Sequence, residues 1–89
     1  LLEHYVAASA SLGFSEEEAK QVVLQTFLGT LELWNRSKHS LAELREQVTS
    51  PGGTTEAGLE HFRSSQLGSS LEDGIRAAFQ RSIDLGKRK

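Results

Sequence analysis

The chain has 89 residues, the size of one small domain, and its ten basic and twelve acidic residues give a formal net charge of −2 at pH 7. This balance provides no electrostatic reason to bind nucleic acid or an anionic membrane surface. There is no cysteine, which excludes disulfide bonds and thiolate chemistry, and no apolar run approaches the roughly 18 residues that predict a membrane span. We expect a cytoplasmic protein without membrane or nucleic-acid partners.

The first segment, "LLEHYVAASASLG", has apolar residues at helical spacing and ends at Gly13, a common residue after a helix. Leu1 and Leu2 already belong to this pattern. We therefore expect the tail of a helix that begins further upstream, and we interpret residues 1–89 as a single helical domain taken from a longer protein.

A capping box predicts the start of a long second helix. In "GFSEEEAK" the Ser15 side chain can accept from the Glu18 N–H while the Glu18 carboxylate accepts from Ser15. Phe14, just before the cap, can act as a hydrophobic staple. No proline interrupts residues 16 to about 36, and the glutamates of the first turn match the helix dipole rather than forming an acidic site.

Apolar residues cover about two thirds of the circumference of the second helix. They are Ala19, Val22, Val23, Leu24, Phe27, Leu28, Leu31, Leu33 and Trp34. A helix of this kind is buried on more than one side, and a chain this short hardly supplies enough surface to cover it. Two interpretations remain open: a second copy of the chain covers the helix, or another part of the same protein does. Trp34 is an anchor residue in either case.

Three further helices are predicted. Ser40 and Glu43 form a second potential capping box before a short third helix, which Pro51 ends. The fourth helix, in "TTEAGLEHFRSS", would turn Leu59 and Phe62 inward. With no alternating strand pattern anywhere, the fold class is all-α, a bundle of about five helices.

The fifth helix is predicted in "SSLEDGIRAAFQRSIDLG". One face carries a stripe formed by Leu71, Ile75, Ala78, Phe79 and Ser82. Glu72 and Asp73 near its start, and the run 87–89 (Lys-Arg-Lys) at its end, would match the helix dipole.

The stretch "VTSPGGTTEAG" interrupts the helical pattern with one proline and two glycines. Gly52 and Gly53 can take positive φ and let another molecule approach the main chain closely. Thr54 or Thr55 then starts a helix, whose first N–H groups lack internal partners and carry the positive end of the dipole. Such a terminus favours a carboxylate or a phosphate.

The threonine hydroxyls add a donor and an acceptor each, so that one could bind a ligand while the other caps the helix. Residues 51–55 contain no ionisable side chain, which limits them to binding and orienting. A second interpretation remains open, because the same residues also suit an ordinary turn followed by a cap. The scattered His4, His39 and His61 have no metal-ligand spacing, and no metal site is expected.

Specific residues carry a family resemblance. The segment "LAELREQVTSPGGTTEAGLEHF" resembles the signature of pyrroline-5-carboxylate reductases. "LGFSEEEAKQVVLQTFLGTLEL" is similar to the long helix of that family, with Gln25 and Thr26 before the small residue Gly29, and "IRAAFQRSIDLG" resembles its last helix. In "SSQLGSS" the chain departs from the glycine pair of many relatives, since Gly68 stands alone.

The resemblance implies the helical dimerisation domain of an enzyme that reduces 1-pyrroline-5-carboxylate to L-proline with NADPH or NADH. It also implies that an amino-terminal Rossmann domain binds the nucleotide. No strand followed by the glycine-rich dinucleotide motif of such a domain occurs in this chain. We expect the fragment alone to be inactive. The resemblance also implies a homodimer, and in the family such dimers often assemble into larger rings.

Carried over by position, the resemblance implies a substrate site in the central loop. Gly52, Gly53, Thr54 and Thr55 match its substrate-binding residues, with main-chain N–H groups of the last three holding the ring carboxylate. Thr55 matches the catalytic threonine whose hydroxyl faces the ring nitrogen. The alternative from another class is a helical protein-protein interaction module without a small-molecule site.

Overall fold

A computed structural model describes residues 1–87 and contains five α-helices and no strand within that range. The helices are α1 (Leu2–Ser11), α2 (Glu16–Arg36), α3 (Leu41–Gln47), α4 (Thr54–Ser64) and α5 (Leu67–Gly86). The all-α prediction with about five helices is confirmed. Two compact units are present, Leu1–Arg45 and Glu46–Lys89, and each is described by itself.

In the first unit, α1 packs against α2 around two small side chains. Ala19 is completely buried and Val23 nearly so. The rings of Tyr5 and Phe27 meet edge to face, with their centroids 4.9 Å apart. A turn at Gly13, whose φ of 109° suits a residue without a side chain, joins the two helices.

Both predicted capping boxes are present. At the start of α2 the Ser15 N–H donates to Glu18 Oε1 at 2.9 Å, and the Glu18 N–H donates to Ser15 Oγ at 3.1 Å. At the start of α3 Ser40 and Glu43 make the same pair of bonds, at 2.9 and 3.1 Å. Two donors that a helix start leaves without a partner are thus satisfied at each site.

The apolar surface of α2 extends far beyond its contact with α1. Large side chains that stay substantially exposed follow the helix to its end: Val22, Leu24, Leu28, Leu31, Leu33 and Trp34. Trp34 is 46% exposed. The expectation that this chain alone does not cover the helix is confirmed.

In the second unit, α4 and α5 are joined by only two residues, Ser65 and Gln66. Gln66 has φ 60° and ψ 36°, the left-handed conformation that glycine or asparagine usually supplies after a helix. The linker ends at this residue, so α5 begins at Leu67, earlier than predicted. Gly68 consequently lies inside α5 and not in a loop.

The earlier start of α5 corrects further expectations. No acidic residue lies in its first turn, so Glu72 and Asp73 do not meet the dipole there.

Leu59 is half-buried, but Phe62 is 45% exposed, so the prediction that Phe62 turns inward is wrong for this chain. Ile75 and Phe79 on the predicted stripe are 70% and 66% exposed. Of the basic run at the end, residues 88 and 89 lie outside the described range.

Within residues 1–87, none of the helices combines the length and the apolar character that crossing a membrane requires.

Candidate functional site

The central loop of the second unit is a tight turn, Ser50–Gly53. The Gly53 N–H donates to the Ser50 carbonyl at 2.9 Å, which closes the turn. Pro51 occupies its second position and Gly52, with φ 74°, its third. Proline followed by a residue of positive φ defines a type II β-turn. Gly52 is therefore the glycine whose conformation an L-residue would resist.

The fourth helix starts directly behind the turn. Gly53 is its N-cap, in an extended conformation with φ −85° and ψ 179°. The first helical bond runs from the Ala57 N–H to the Gly53 carbonyl. The N–H groups of Thr54, Thr55 and Glu56 precede that bond and have no partner within the helix. We call the N–H groups of Thr54 and Thr55 the α4 mouth.

Two sequence expectations about the threonines and glycines need correction. No side chain caps α4, so the prediction that Thr54 or Thr55 acts as the cap is wrong, because both already lie in the first helical turn. Gly53 does not have positive φ, and its N–H is taken by Ser50. The main-chain donors of the first turn that remain available to a carboxylate are those of Thr54, Thr55 and Glu56.

Gly53 is nevertheless a position where a side chain would not fit freely. A Cβ atom placed there would lie 3.1 Å from the Ser50 carbonyl oxygen, closer than ordinary van der Waals contact. At Gly52 a Cβ meets nothing within 4 Å. The two glycines are thus required for different reasons: Gly52 for its backbone angle and Gly53 for space inside the turn.

Thr55 combines a free N–H with a half-buried side chain, whereas Thr54 is exposed. Within residues 1–87 the Thr55 hydroxyl has no hydrogen-bond partner. It can therefore donate to, or accept from, a bound molecule beside the α4 mouth.

Sequence reasoning missed Glu56. Its Oε2 atom accepts from the N–H of Gly52 at 3.2 Å. The signal was present, because a glutamate three residues after an N-cap commonly reaches back to main-chain donors before the helix. Here the N-cap is Gly53 rather than serine or threonine, and for that reason the pattern is easily overlooked.

The site is open. Surface depressions with apolar walls occur in the first unit, one of about 220 Å³ lined by Tyr5, Thr26, Phe27 and Thr30, and this one contains no loop residue. The loop supplies donors without enclosing a ligand, so the other walls of a binding pocket must come from outside it.

The three histidines do not form a site in the described part of the chain, where no group of three or more metal-binding side chains occurs. His39 Nδ1 lies 3.4 Å from Glu43 Oε2, and the His61 ring meets Phe62 edge to face.

Comparison with known proteins decides the family. The sequence profile described as "Pyrroline-5-carboxylate reductase dimerisation" matches residues 1–85. The chain belongs to this family. The pyrroline-5-carboxylate reductase of Staphylococcus aureus (strain COL) is 40% identical over 85 residues, covering 96% of this chain and 31% of that protein. The pyrroline-5-carboxylate reductase of Pseudomonas aeruginosa is 39% identical over 88 residues, covering 99% of this chain and 32% of that protein.

A solved structure shares the fold. The crystal structure of Plasmodium falciparum pyrroline carboxylate reductase with NADP bound superposes with a TM-score of 0.87 at 30% identity, over 90% of this chain and 32% of that one. The chain therefore spans about a third of the length of the reductases that it matches.

Proposed function

We propose that this chain is the helical domain of a pyrroline-5-carboxylate reductase, which reduces 1-pyrroline-5-carboxylate to L-proline in the cytoplasm as a step of proline synthesis. The family match over residues 1–85 supports the proposal. The observation that carries it is the α4 mouth, two free N–H groups beside an unpartnered, half-buried threonine hydroxyl. The alternative, an interaction module without a small-molecule site, is not favoured by the family match.

The α4 mouth suits the carboxylate of the imino acid. Two N–H groups at a helix start point outward and carry the positive end of the dipole, which stabilises an anion. They are held in place because the turn at Ser50–Gly53 fixes where α4 begins. Of the four predicted substrate-binding residues, Thr54 and Thr55 would contact the carboxylate directly. Gly52 and Gly53 would support them by forming the turn.

Thr55 is proposed as the catalytic residue of this chain. Reduction of the imine adds a hydride to the ring carbon and a proton to the ring nitrogen. With the carboxylate held at the α4 mouth, the Thr55 hydroxyl can hydrogen-bond to the ring nitrogen or pass it a proton through water. Binding at two points orients the ring, which contributes to the rate by positioning.

The described residues do not fit a bound dinucleotide. A nucleotide of this class binds at a glycine-rich turn between a strand and a helix, and residues 1–87 contain no strand. We propose that NADPH or NADH is held by another domain of the same protein, and that two copies of this domain associate as a homodimer. A second subunit would also cover the exposed apolar surfaces.

The proposed activity is tested with the intact protein that carries this domain. Purified protein, reduced nucleotide and 1-pyrroline-5-carboxylate should give nucleotide oxidation and L-proline in equal amounts. Oxidation without the imino acid, or no turnover by a folded protein with both substrates present, would contradict the proposed function.

A further inference from the structure

The turn before α4 contains one peptide group with two possible orientations. In a four-residue turn, types I and II differ mainly in the direction of the central peptide, here the one between Pro51 and Gly52. In type II the residue after proline has positive φ, as Gly52 does with 74°. In type I the same peptide is turned over, and its N–H points to the opposite face of the turn.

The carboxylate of Glu56 bonds to that peptide. Its Oε2 atom lies 3.2 Å from the Gly52 nitrogen, a contact that requires the type II orientation. The bond differs from an ordinary capping box, because the acceptor reaches past the N-cap Gly53 to the residue before it. Gly53 itself is already paired with Ser50 at 2.9 Å. The N–H donors of the two glycines are thus occupied, and those of Thr54, Thr55 and Glu56 are left.

We propose that Glu56 is a positioning residue for the imino-acid site, an inference that rests on the proposed function. Its hydrogen bond holds the Pro51–Gly52 peptide in one orientation and so fixes the direction in which the chain enters Gly53 and α4. The carboxylate engages Gly52 rather than the free N–H groups of Thr54 and Thr55. It therefore shapes the α4 mouth without occupying it.

The role depends on an acceptor atom and not on the negative charge. Glutamine keeps a side-chain oxygen of the same reach, whereas alanine removes it and still favours a helix. If charge were the important property, removing it would strengthen binding of the substrate carboxylate nearby. The two substitutions therefore separate positioning from electrostatic repulsion.

The experiment compares Glu56→Ala and Glu56→Gln in the intact protein, with Glu60→Ala as the control. Glu60 lies one turn further along α4, is exposed and pairs with Arg63 at 2.6 Å, so its loss does not touch the turn. Glu56→Ala should raise the KM for 1-pyrroline-5-carboxylate about three- to ten-fold, as expected for one lost hydrogen bond, with the KM for nucleotide unchanged. Glu56→Gln and Glu60→Ala should stay close to wild type.

Amide hydrogen exchange gives a second readout that does not depend on turnover. The Gly52 N–H should exchange faster in Glu56→Ala than in wild type and remain protected in Glu56→Gln. Circular dichroism checks that α4 is retained.

Distinct outcomes separate the two claims. An active wild type whose Glu56→Ala variant keeps its imino-acid KM, or lowers it, overturns the positioning role and leaves the proposed function standing. An increase of the same size in Glu56→Gln also overturns it, because a side-chain oxygen of the same reach would then not be sufficient to hold the turn. A folded wild type that neither turns over nor binds the imino acid overturns the proposed function, and the inference with it.

Discussion

Thr55 is the residue on which the proposed chemistry depends, because it brings a main-chain donor and a hydroxyl to the same place. Its N–H lies in the first turn of α4, and its half-buried hydroxyl has no partner among residues 1–87. Removing the hydroxyl changes neither the backbone nor a packed core, so its effect should appear in the reaction rather than in folding.

We expect Thr55→Ala in the intact protein to lower kcat by about 100-fold, the smaller end of what a group assisting proton transfer contributes. Thr55→Ser is the matched control, since it keeps the hydroxyl, and should retain most of the activity. Steady-state kinetics with equal protein unfolding temperatures measure the effect. Unchanged kinetics in Thr55→Ala would remove Thr55 from the site.

The two glycines of the turn should respond differently to substitution. Gly52→Ala forces an L-residue to φ 74° with free space around it, which should cost about 1 kcal/mol of stability. Gly53→Val introduces a Cβ atom 3.1 Å from the Ser50 carbonyl and should distort the turn itself, raising the imino-acid KM more than Gly52→Ala does. Urea unfolding and kinetics measure both. A smaller effect of Gly53→Val on KM would contradict this account of the turn.

Some features of the central loop were predictable from the sequence, and others were not. Pro51 and the glycines predicted a turn, and the position of the α4 start followed from them. The choice between Gly52 and Gly53 as the residue with positive φ depends on the turn type, which the order of residues alone did not settle. Glu56 was missed because its acceptor role depends on Gly53 being the N-cap.

At the scale of helices, the two capping boxes fix the starts of α2 and α3. The pKa of Glu18 and the pKa of Glu43 both lie below the ordinary value of 4.5. The main cause is the hydrogen bond from the main-chain N–H of the serine in each box, and the serine hydroxyl is the second cause. Nearby His39 acts on Glu43 in the same direction. Both carboxylates are exposed, so the effect on each is local.

A lowered pKa in the folded state means that the ionised carboxylate stabilises the fold above the unfolded-state pKa of about 4.5. This contribution is lost as the pH falls through the lower, folded-state value. Ser15→Ala should cost about 1 kcal/mol at neutral pH, and the difference from wild type in unfolding free energy should shrink below pH 4.5. Carboxyl NMR titration should show Glu18 returning toward its ordinary pKa in the variant. A difference independent of pH would contradict the coupling.

The helix boundaries were predictable where a local signal exists. The predicted range of α2, residue 16 to about 36, agrees with Glu16–Arg36 because the capping box and an uninterrupted apolar pattern determine it. The start of α5 was misplaced because Gln66 adopts the left-handed conformation, which costs a residue with a side chain about 1 kcal/mol. Nothing in the residue type of Gln66 indicates that it will adopt this conformation.

At the scale of the whole molecule, each of the two units leaves large apolar side chains exposed. Ala19 and Val23 are the buried hydrophobic residues among those described. In the second unit Ile75 and Phe79 on α5 are more than half exposed. Exposed apolar faces of this extent are typical of surfaces that another chain or domain covers. The apolar pattern of α2 predicted that another chain or domain covers this helix. The sequence alone did not indicate which of the two covers it.

We expect the intact protein to sediment as a dimer or a larger assembly. Phe79→Asp places a charge on the exposed face of α5 and should shift the equilibrium toward monomer by at least ten-fold, since desolvating an unpaired charge at an interface costs more than about 1.4 kcal/mol. Glu72→Ala, an exposed change on the same helix, should leave the assembly unchanged. A well-folded monomeric wild type at tens of micromolar, roughly the range in which a stable dimer persists, would contradict the dimer proposal.

The most direct test of the central claim is a titration of the intact protein with L-proline, monitored by the amide resonances of residues 50–56. We predict that the Thr54 and Thr55 amides shift most, downfield and saturably, because their N–H groups bind the carboxylate. The Gly53 amide should move less, since it stays bonded to Ser50. Saturable binding with Thr54 and Thr55 unmoved would show that the α4 mouth is not the carboxylate site.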